Sequence, residues 1–228
     1  MTSPRSSSAK RPGRGFLNLR HSRRRPDGGS VAGAAAAIRE ALQETARLHS
    51  ALPERQIGLI AKAAALMTRA LRSGRKIIWF GNGGSATQSQ HMAAEFVGRF
   101  KAERRALPSI SLTENMASVT AISNDYAYDR IFARQLEGLA QRGDVAVGLS
   151  TSGNSPNVVQ GLRQARADGV AVVGLTSGTG GQMAELCDIC ICVPSTVTAR
   201  IQEVHLTIGH LLCGLVEDAL LAPARAAR

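Results

Sequence analysis

Aromatic residues are scarce in this chain of 228 residues, at 4% of the sequence, although hydrophobic residues together reach 44%. A core of this composition must be packed mainly with aliphatic side chains, and the length suits one sizeable domain. A continuous run of about 20 predominantly apolar residues, the length that crosses a bilayer, is also lacking. The sequence therefore predicts a globular domain and no membrane partner.

Cysteine is also rare, and four residues do not suggest the framework of a disulfide-rich domain. Three of them, Cys187, Cys190 and Cys192, lie in the stretch CDICIC, whose spacing resembles a metal site. The stretch alternates with isoleucine and ends at Pro194, which favours a strand with Cys190 and Cys192 on one face. Because no second cysteine or histidine pair lies nearby, we interpret these cysteines as small hydrophobic residues of the core.

Acidic residues are nearly absent from residues 1–29, which hold seven arginines, Lys10 and one acid, Asp27, and so carry +7 of the net charge of +11. The segment has little apolar surface, several prolines and glycines, and no hydrophobic region typical of a secretory signal. We interpret residues 1–29 as a disordered basic tail and residues 30–228 as the domain. Weak binding of an anionic partner and organelle targeting stay open for the tail, and we do not expect a nucleic-acid partner.

Helical and strand patterns alternate along the domain. Two N-terminal helices are predicted at 31–49 and 54–73. The predicted strands are 76–80, 109–112, 144–150, 170–177 and 188–193, and the later helices are 86–99, 115–123, 127–141, 156–168, 181–186 and 197–221. Strands that are apolar on both faces and separated by helices are typical of a covered parallel sheet. The fold class is therefore α/β, a single doubly wound five-stranded parallel sheet flanked by helices.

Two glycine- and serine-rich loops follow strands of this predicted sheet, where ligands bind in such folds. The first, GNGGS at 81–85, lets backbone amides approach an anion, although a tight turn explains it equally well. The second, STSGNS at 150–155, supplies the hydroxyls of Ser150, Thr151, Ser152 and Ser155 at a helix start without a lysine. An N-cap accounts for only one or two of these hydroxyls, so we favour a phosphate site.

Polar side chains at helical spacing suggest a metal. His91 and Glu95 are four residues apart on one helix face and suit a shared divalent ion, but such a pair is more often an exposed polar couple. After the second predicted strand and a short helix, Asn124 and Asp125 either meet substrate hydroxyls or end a turn. These residues alone do not decide between the alternatives.

The last helix opens with RIQEVHLTIGH, in which Gln202, Glu203, His205 and His210 interrupt an apolar segment. Gln202 and His210 are eight residues apart, which is about 12 Å along a helix axis. Side chains at this separation converge on one ion only with difficulty. The alternative that Gln202 and His210 bind the ion from different subunits therefore stays open. We interpret Glu203 and His205 as supporting or surface groups.

In order, the motifs GNGGS, H-x3-E, SND, STSGNS and RIQE-x-H-x4-H resemble the SIS (sugar isomerase) domain family, from about residue 35 to residue 221. The resemblance implies one zinc ion per subunit, bound by His91, Glu95, Gln202 and His210. It also implies that Glu95 is the catalytic base and His210 the catalytic acid. The implied substrate contacts are Asn82, Gly83, Gly84, Glu95, Asn124, Asp125, Ser150, Thr151, Ser152, Ser155 and Gln202.

The activity implied by the resemblance is interconversion of a seven-carbon ketose phosphate and its aldose isomer through an enediol. It would be the first step of nucleotide-activated heptose synthesis for lipopolysaccharide in the bacterial cytoplasm. Two alternatives from the same family stay open, namely a non-catalytic adaptor that binds the replication initiator and a sugar-phosphate sensor. The presence of His210 favours the enzyme, because an adaptor does not need a metal ligand there.

Association of several copies is also expected. The last predicted helix is apolar around much of its circumference, and exposed apolar surface costs about 25 cal/mol per Å² relative to burial. The apolar residues concerned are Ile201, Val204, Leu206, Ile208, Leu211, Leu212, Leu215, Val216 and Leu220. We therefore expect a homo-oligomer, a tetramer, with the active site at a subunit boundary. Packing of the helix on its own sheet is the alternative.

Overall fold

The computed structural model describes residues 30–222, so the predicted basic tail lies outside the described residues. The helices are α1 (Val31–Ser50), α2 (Glu54–Arg72), α3 (Gly84–Val97), α4 (Met116–Asp125), α5 (Ile131–Leu139), α6 (Pro156–Ala167), α7 (Met183–Leu186) and α8 (Thr198–Leu221), with a 3-10 turn at Tyr128–Arg130. The strands are β1 (Ile77–Gly81), β2 (Ser109–Ser111), β3 (Val145–Leu149), β4 (Ala171–Ser177) and β5 (Ile189–Val193). The described residues divide into two units, 30–40 and 41–222, and the boundary falls within α1.

The five strands form one parallel sheet in the order β2-β1-β3-β4-β5. The predicted α/β fold class is confirmed, and every predicted strand is present with ends shifted by a few residues. The chain leaves β1 towards β2 and then returns to the other side of β1 to form β3. This reversal of direction opens a crevice beyond the carboxyl ends of β1 and β3, where doubly wound sheets bind ligands.

Both faces of the central strands are buried, and successive side chains alternate between two cores. Ile77 and Trp79 of β1 pack into a core under α2, α3 and α8, whereas Ile78 and Phe80 pack into a core under α5 and α6. Trp79, fully buried, keeps its indole N–H satisfied because it donates to the hydroxyl of Ser109 at 3.0 Å. The sheet is thus fixed from two sides, which gives the loops at its carboxyl edge a rigid base.

The cysteines of β5 are placed differently from the expectation. Cys190 and Cys192 lie on one face of the strand as predicted, with their sulfurs 3.9 Å apart. Both are only half-buried, however, because β5 is the edge of the sheet and α7 is too short to cover its outer face. The hydrogen bond with Cys187 raises the pKa of Cys190 to about 12, with burial adding to this effect and the contact with Cys192 opposing it, so this thiol stays protonated near neutral pH. The interpretation of these two cysteines as core residues is therefore wrong.

Helix α8 is the long apolar element of the domain. Among the described residues, α8 is long and apolar enough, by length and composition alone, to cross a membrane. The expectation that the sequence lacks such a segment is therefore corrected. A core helix passes the same test, and one face of α8 packs into the core through Ile201, Val204, Ile208, Leu212 and Val216. The outward face, in contrast, leaves Leu211 and Leu215 nearly half exposed.

Polar contacts join α8 to the second half of α1. Glu203 accepts a hydrogen bond of 2.6 Å from the hydroxyl of Thr45 and pairs with Arg200 at 2.7 Å. One turn further along each helix, the ring Nε2 of His49 lies 2.8 Å from the hydroxyl of Thr207. Glu203 therefore supports the packing of two helices, which is one of the two roles the sequence suggested for it.

His205 is buried, with 1% of its surface exposed, and is not a surface group. Its Nε2 lies 2.9 Å from the carbonyl oxygen of Thr176 and must carry the proton, since a carbonyl only accepts. Burial lowers the pKa of His205 to about 4, and the hydrogen bond to Thr176 offsets only part of this effect. The imidazole is therefore neutral near pH 7, and within the described residues its Nδ1 has no partner.

This buried histidine makes stability depend on pH. Between pH 6.5 and about 4 the unfolded chain binds a proton at His205 that the folded chain does not, so the free energy of unfolding falls as the pH is lowered. We expect a loss of about 3 kcal/mol over this range relative to His205→Gln, whose amide can still donate to the same carbonyl. Urea unfolding of both proteins as a function of pH measures the difference. Parallel curves for the two proteins would contradict the assignment.

Candidate active site

The first site loop, GNGGS, connects β1 to α3 at the carboxyl edge of the sheet. Gly83 adopts a φ of 54° as the residue before the helix, a conformation that favours glycine. Gly84 lies under the side chain of Gln202, because a Cβ added at Gly84 would come within 2.6 Å of the Gln202 amide nitrogen. Gln88, one turn along α3, donates to the backbone oxygen of Gln202 at 2.6 Å. The start of α3 is therefore held directly against the start of α8.

Further along the same two helices, three metal-ligating side chains converge. Nε2 of His91 lies 3.0 Å from Nε2 of His210 and 3.3 Å from Oε1 of Glu95. One ligand atom from each of the three residues falls within 4.8 Å of the other two. His91 is exposed and the other two are half-buried, so the cluster opens to solvent on one side.

These distances fit a zinc ion. Zinc–nitrogen and zinc–oxygen bonds of about 2.0–2.1 Å in a tetrahedron place neighbouring ligand atoms roughly 3.3 Å apart. The two separations measured from His91, 3.0 and 3.3 Å, are close to this value. Two imidazoles and a carboxylate are also a donor set that zinc prefers, and three protein ligands leave a position for substrate. The predicted triad of His91, Glu95 and His210 is thus compatible with a divalent metal.

Gln202, the fourth predicted ligand, has its side-chain amide at the start of α3. Its amide lies against Gly84, which precedes His91 by seven residues, or about 10 Å along α3. Coordination by Gln202 therefore requires either a different side-chain conformation or a site completed by a neighbouring chain. Its amide at the mouth of the crevice is better placed to meet a substrate.

The second site loop, STSGNS, connects β3 to α6 at the same edge. The hydroxyl of Ser150 lies 2.9 Å from that of Ser155 and 3.4 Å from that of Ser152, so three of the four predicted hydroxyls gather at one point. Within residues 30–222 the backbone N–H groups of Thr151, Ser152 and Ser155 donate to no protein acceptor. Free amides and hydroxyls at a helix start form a cradle for an anion.

A simple capping role does not explain this loop. Ser155 is the N-cap residue of α6 but makes no side-chain capping bond, because its hydroxyl turns to Ser150 instead. The loop is fixed from below at Gly153, where a Cβ would come within 2.1 Å of the backbone oxygen of Gly180. Two further contacts hold it, from the Ser177 hydroxyl to the oxygen of Thr151 at 2.6 Å and from the Met183 N–H to the oxygen of Gly153 at 3.1 Å.

An amide pair that the sequence did not reveal joins the two loops. Asn82 and Asn157 exchange two hydrogen bonds, both of 2.8 Å, and Asn157 is buried. The hydroxyl of Tyr128 donates to the same Asn82 oxygen at 3.2 Å. The position of Asn157, two residues after the serine-rich loop, was the only local indication of this pair. An asparagine in the first turn of a helix does not by itself predict a partner.

Asn124 and Asp125 lie in the last turn of α4 rather than after it, and both are exposed. The side-chain amide of Asn124 donates to the carboxylate of Asp125 at 2.9 Å. Their predicted contact with substrate therefore stays a prediction. Phe100 was also missed, although its ring stacks on that of His210 with centroids 5.7 Å apart; nothing in the local sequence marks it.

Residues 41–177 match the SIS domain family, and this is more than half of the chain. A phosphoheptose isomerase from Rhodospirillum rubrum is 55% identical over 161 residues, which make up 71% of this chain and 86% of that protein. The chain therefore belongs to the SIS domain family, as the order of its motifs predicted.

Solved structures refine this placement. The phosphoheptose isomerase from Neisseria gonorrhoeae superposes with a TM-score of 0.77 at 35% identity, covering 81% of this chain and 99% of that one. The enzyme of the same name from Francisella tularensis gives a TM-score of 0.74 at 33% identity, covering 82% of this chain and 97% of that one. Within the family the chain is thus similar to phosphoheptose isomerases over most of its length, and the protein is an isomerase enzyme. The adaptor interpretation is not supported.

The packing under the STSGNS loop can be tested by substitution. In Gly153→Ala the new methyl group meets the backbone of Gly180 in addition to an unfavourable φ of 67°. Gly178→Ala is a matched control, since it has a φ of 57° but nothing within 4 Å of the added carbon. We expect the control to lower the free energy of unfolding by about 1–2 kcal/mol and Gly153→Ala to lower it by clearly more. Equal losses in urea unfolding would show that the loop is free to move away from Gly180.

Proposed function

We propose that the protein converts D-sedoheptulose 7-phosphate to D-glycero-D-manno-heptose 7-phosphate, as the first step of nucleotide-activated heptose synthesis for lipopolysaccharide in the cytoplasm. The observation that carries the proposal is the presence of two subsites in one domain, an anion cradle at the carboxyl edge of the sheet and a metal-ligating cluster between α3 and α8. These are the open His91–Glu95–His210 cluster and the cradle of hydroxyls and amides around Ser150. The similarity to phosphoheptose isomerases supports the choice of substrate.

The phosphate of the substrate is assigned to the STSGNS loop. Ser150, Thr151, Ser152 and Ser155 would supply hydroxyl and amide donors, and the start of α6 adds its positive dipole. Asn82, Gly83, Gly84 and Gln202 at the mouth of the crevice, with Asn124 and Asp125, would meet the sugar hydroxyls. Binding energy from the remote phosphate then aligns the reacting carbons, which is where it raises the rate.

Glu95 and His210 are assigned to proton transfer. The Glu95 carboxylate would take a proton from C1 of the ketose and return it to C2. His210 would supply a proton to the oxygen on C2 and recover one from the oxygen on C1. Because a histidine nitrogen that binds a metal has no proton to give, this role requires Nε2 of His210 to be free while substrate is bound.

One zinc ion per subunit is assigned to His91, Glu95 and His210. Gln202 would be the fourth ligand only after its side chain turns away from Gly84 or if a neighbouring chain supplies it. When bound, zinc would supply a Lewis acid that polarises the substrate carbonyl. His91, which we place outside the proton transfers, would then serve only to hold the ion. This separates His91 experimentally from the other two members of the cluster.

The proposed activity is tested by incubating the purified protein with sedoheptulose 7-phosphate before and after treatment with a chelator. We expect turnover that falls on chelation and returns with zinc, close to one zinc per chain by elemental analysis, and loss of that zinc in His91→Ala. Glu95→Gln should lower kcat by at least about 100-fold, a typical contribution of a general base. Full zinc content in His91→Ala would contradict the assignment of His91 as a zinc ligand. A wild-type kcat in Glu95→Gln would contradict the assignment of Glu95 as the base.

We also propose a homo-oligomer, a tetramer, that uses the outward face of α8. Leu211 and Leu215 on this face are 48% and 45% exposed, although the opposite face is fully packed. Together with Phe100, Thr207 and His210 they line a groove of about 300 Å³. The groove reaches His210, so a neighbouring chain seated there would lie beside the metal cluster.

Light scattering of the active enzyme tests this association. We expect a mass several times the 24.0 kDa of one chain. Replacing Leu215 with glutamate places a charge on the apolar face and should dissociate the assembly, whereas the same change at the exposed Ala184 on α7 should not. An active, monodisperse species with the mass of one chain would refute the proposal.

A further inference from the structure

Phe100 connects the metal cluster to a buried ion pair. Its ring stacks on that of His210 at an interplanar angle of 24°. Its backbone N–H donates to the carboxylate of Glu217 at 3.2 Å. Glu217 follows His210 by seven residues, or two turns of α8, and so lies on the same face of that helix. Helix α8 therefore carries both a proposed metal ligand and the anchor of the ring that packs on it.

Glu217 organises the loop that follows α3. It accepts two more backbone hydrogen bonds, from Lys101 and Ala102 at 2.8 Å each, and pairs with Nε of Arg104 at 2.8 Å. Only 2% of Glu217 is exposed. Burial alone would raise the pKa of this carboxyl, but the hydrogen bonds from the backbone and from Arg104 hold the pKa below its usual value. Glu217 is therefore an ionised anchor for three consecutive residues.

Arg104 completes the link to α3. Its side chain donates to the backbone oxygens of Glu95 at 2.9 Å, Phe96 at 3.0 Å and Gly98 at 3.2 Å. Such oxygens at the end of a helix lack a partner within the helix, and a cation there is favoured by the helix dipole. Arg104, with 5% of its side chain exposed, therefore caps the C-terminal end of α3. One of the backbone oxygens that it binds belongs to Glu95, whose carboxylate is part of the metal cluster.

The ion pair thus joins the end of α3 to α8 just beyond the cluster. His91 and Glu95 stand on α3, and His210 stands on α8, so the separation of the two helices sets the distances between the ligand atoms. At the other end of the cluster the same helices are held together through Gly84, Gln88 and Gln202. The Arg104–Glu217 pair is the fixed point on the side that faces away from the crevice.

We propose that Arg104 and Glu217 are positioning residues for the metal site, which act by holding Phe100 against His210 and by fixing the end of α3 under Glu95. The inference rests on the proposed function in one respect, namely that a divalent metal binds His91, Glu95 and His210. A pair that served folding alone would stabilise the chain without tuning the metal affinity, so the two effects must be measured separately.

Zinc affinity, determined by competition with a chromogenic chelator, is the deciding measurement, and melting temperature is recorded beside it. Arg104→Lys keeps the charge but loses the planar set of donors that spans Glu217 and the α3 carbonyls. Phe100→Leu keeps an apolar side chain but loses the stacked ring. We expect each to weaken zinc binding roughly 10- to 100-fold, the usual effect of removing a group that orients a metal ligand. Arg134→Lys, in the exposed pair with Glu137 on α5, is the matched control and should bind zinc as the wild type does.

In the double variant we expect a loss of zinc affinity smaller than the product of the two single losses, because Arg104 acts in part through the contact of Phe100 with His210. A lower melting temperature with wild-type zinc affinity in Arg104→Lys would overturn the inference and leave the proposed function intact. If Arg104→Lys does not fold, Phe100→Leu decides, and unchanged zinc affinity in it overturns the inference. A wild-type protein that binds no zinc would instead refute the metal part of the proposed function, and this inference with it.

Discussion

Burial of β1 on both faces is the constraint on which the rest of the molecule depends. A strand that is apolar on both sides needs helices above and below, and a parallel neighbour can be reached only by a crossover through one of them. The chain therefore enters α3 directly from β1, and the last helix, α8, closes the same face beside it. Because the two helices run in the same direction, polar residues at similar depths along each of them meet.

The sequence predicted the elements well because the information for them is local. A run such as IIWF reads as a strand buried on both faces without reference to any other part of the chain. His91 and Glu95 were found for the same reason, since their spacing depends only on helix geometry. The gathering of hydroxyls around Ser150 was likewise visible in six consecutive residues, although not the turn of Ser155 away from its capping position.

Contacts between residues far apart in the sequence could not be predicted from local patterns. Arg104 and Glu217 are 113 residues apart, and the local sequence around each of them does not indicate an ion-pair partner. Gln202 as a metal ligand rests on the family resemblance and stays a prediction, and its contact with Gly84 was not visible in the sequence. The cysteines of β5 were assigned to the core because alternation along a strand does not say whether that strand lies at the centre or at the edge of the sheet.

The two edges of the sheet limit the ways in which copies of this chain can associate. β2 has only three residues, and on the outer side of β5 the N–H of Cys192 is already taken by the side chain of Gln56 at 3.0 Å. An edge strand that is short, or whose backbone N–H groups already have partners, pairs poorly with a strand from another molecule. A continuous sheet running through several chains is therefore disfavoured, which protects the protein from open-ended aggregation and leaves helical surfaces as the route to a closed, symmetric assembly.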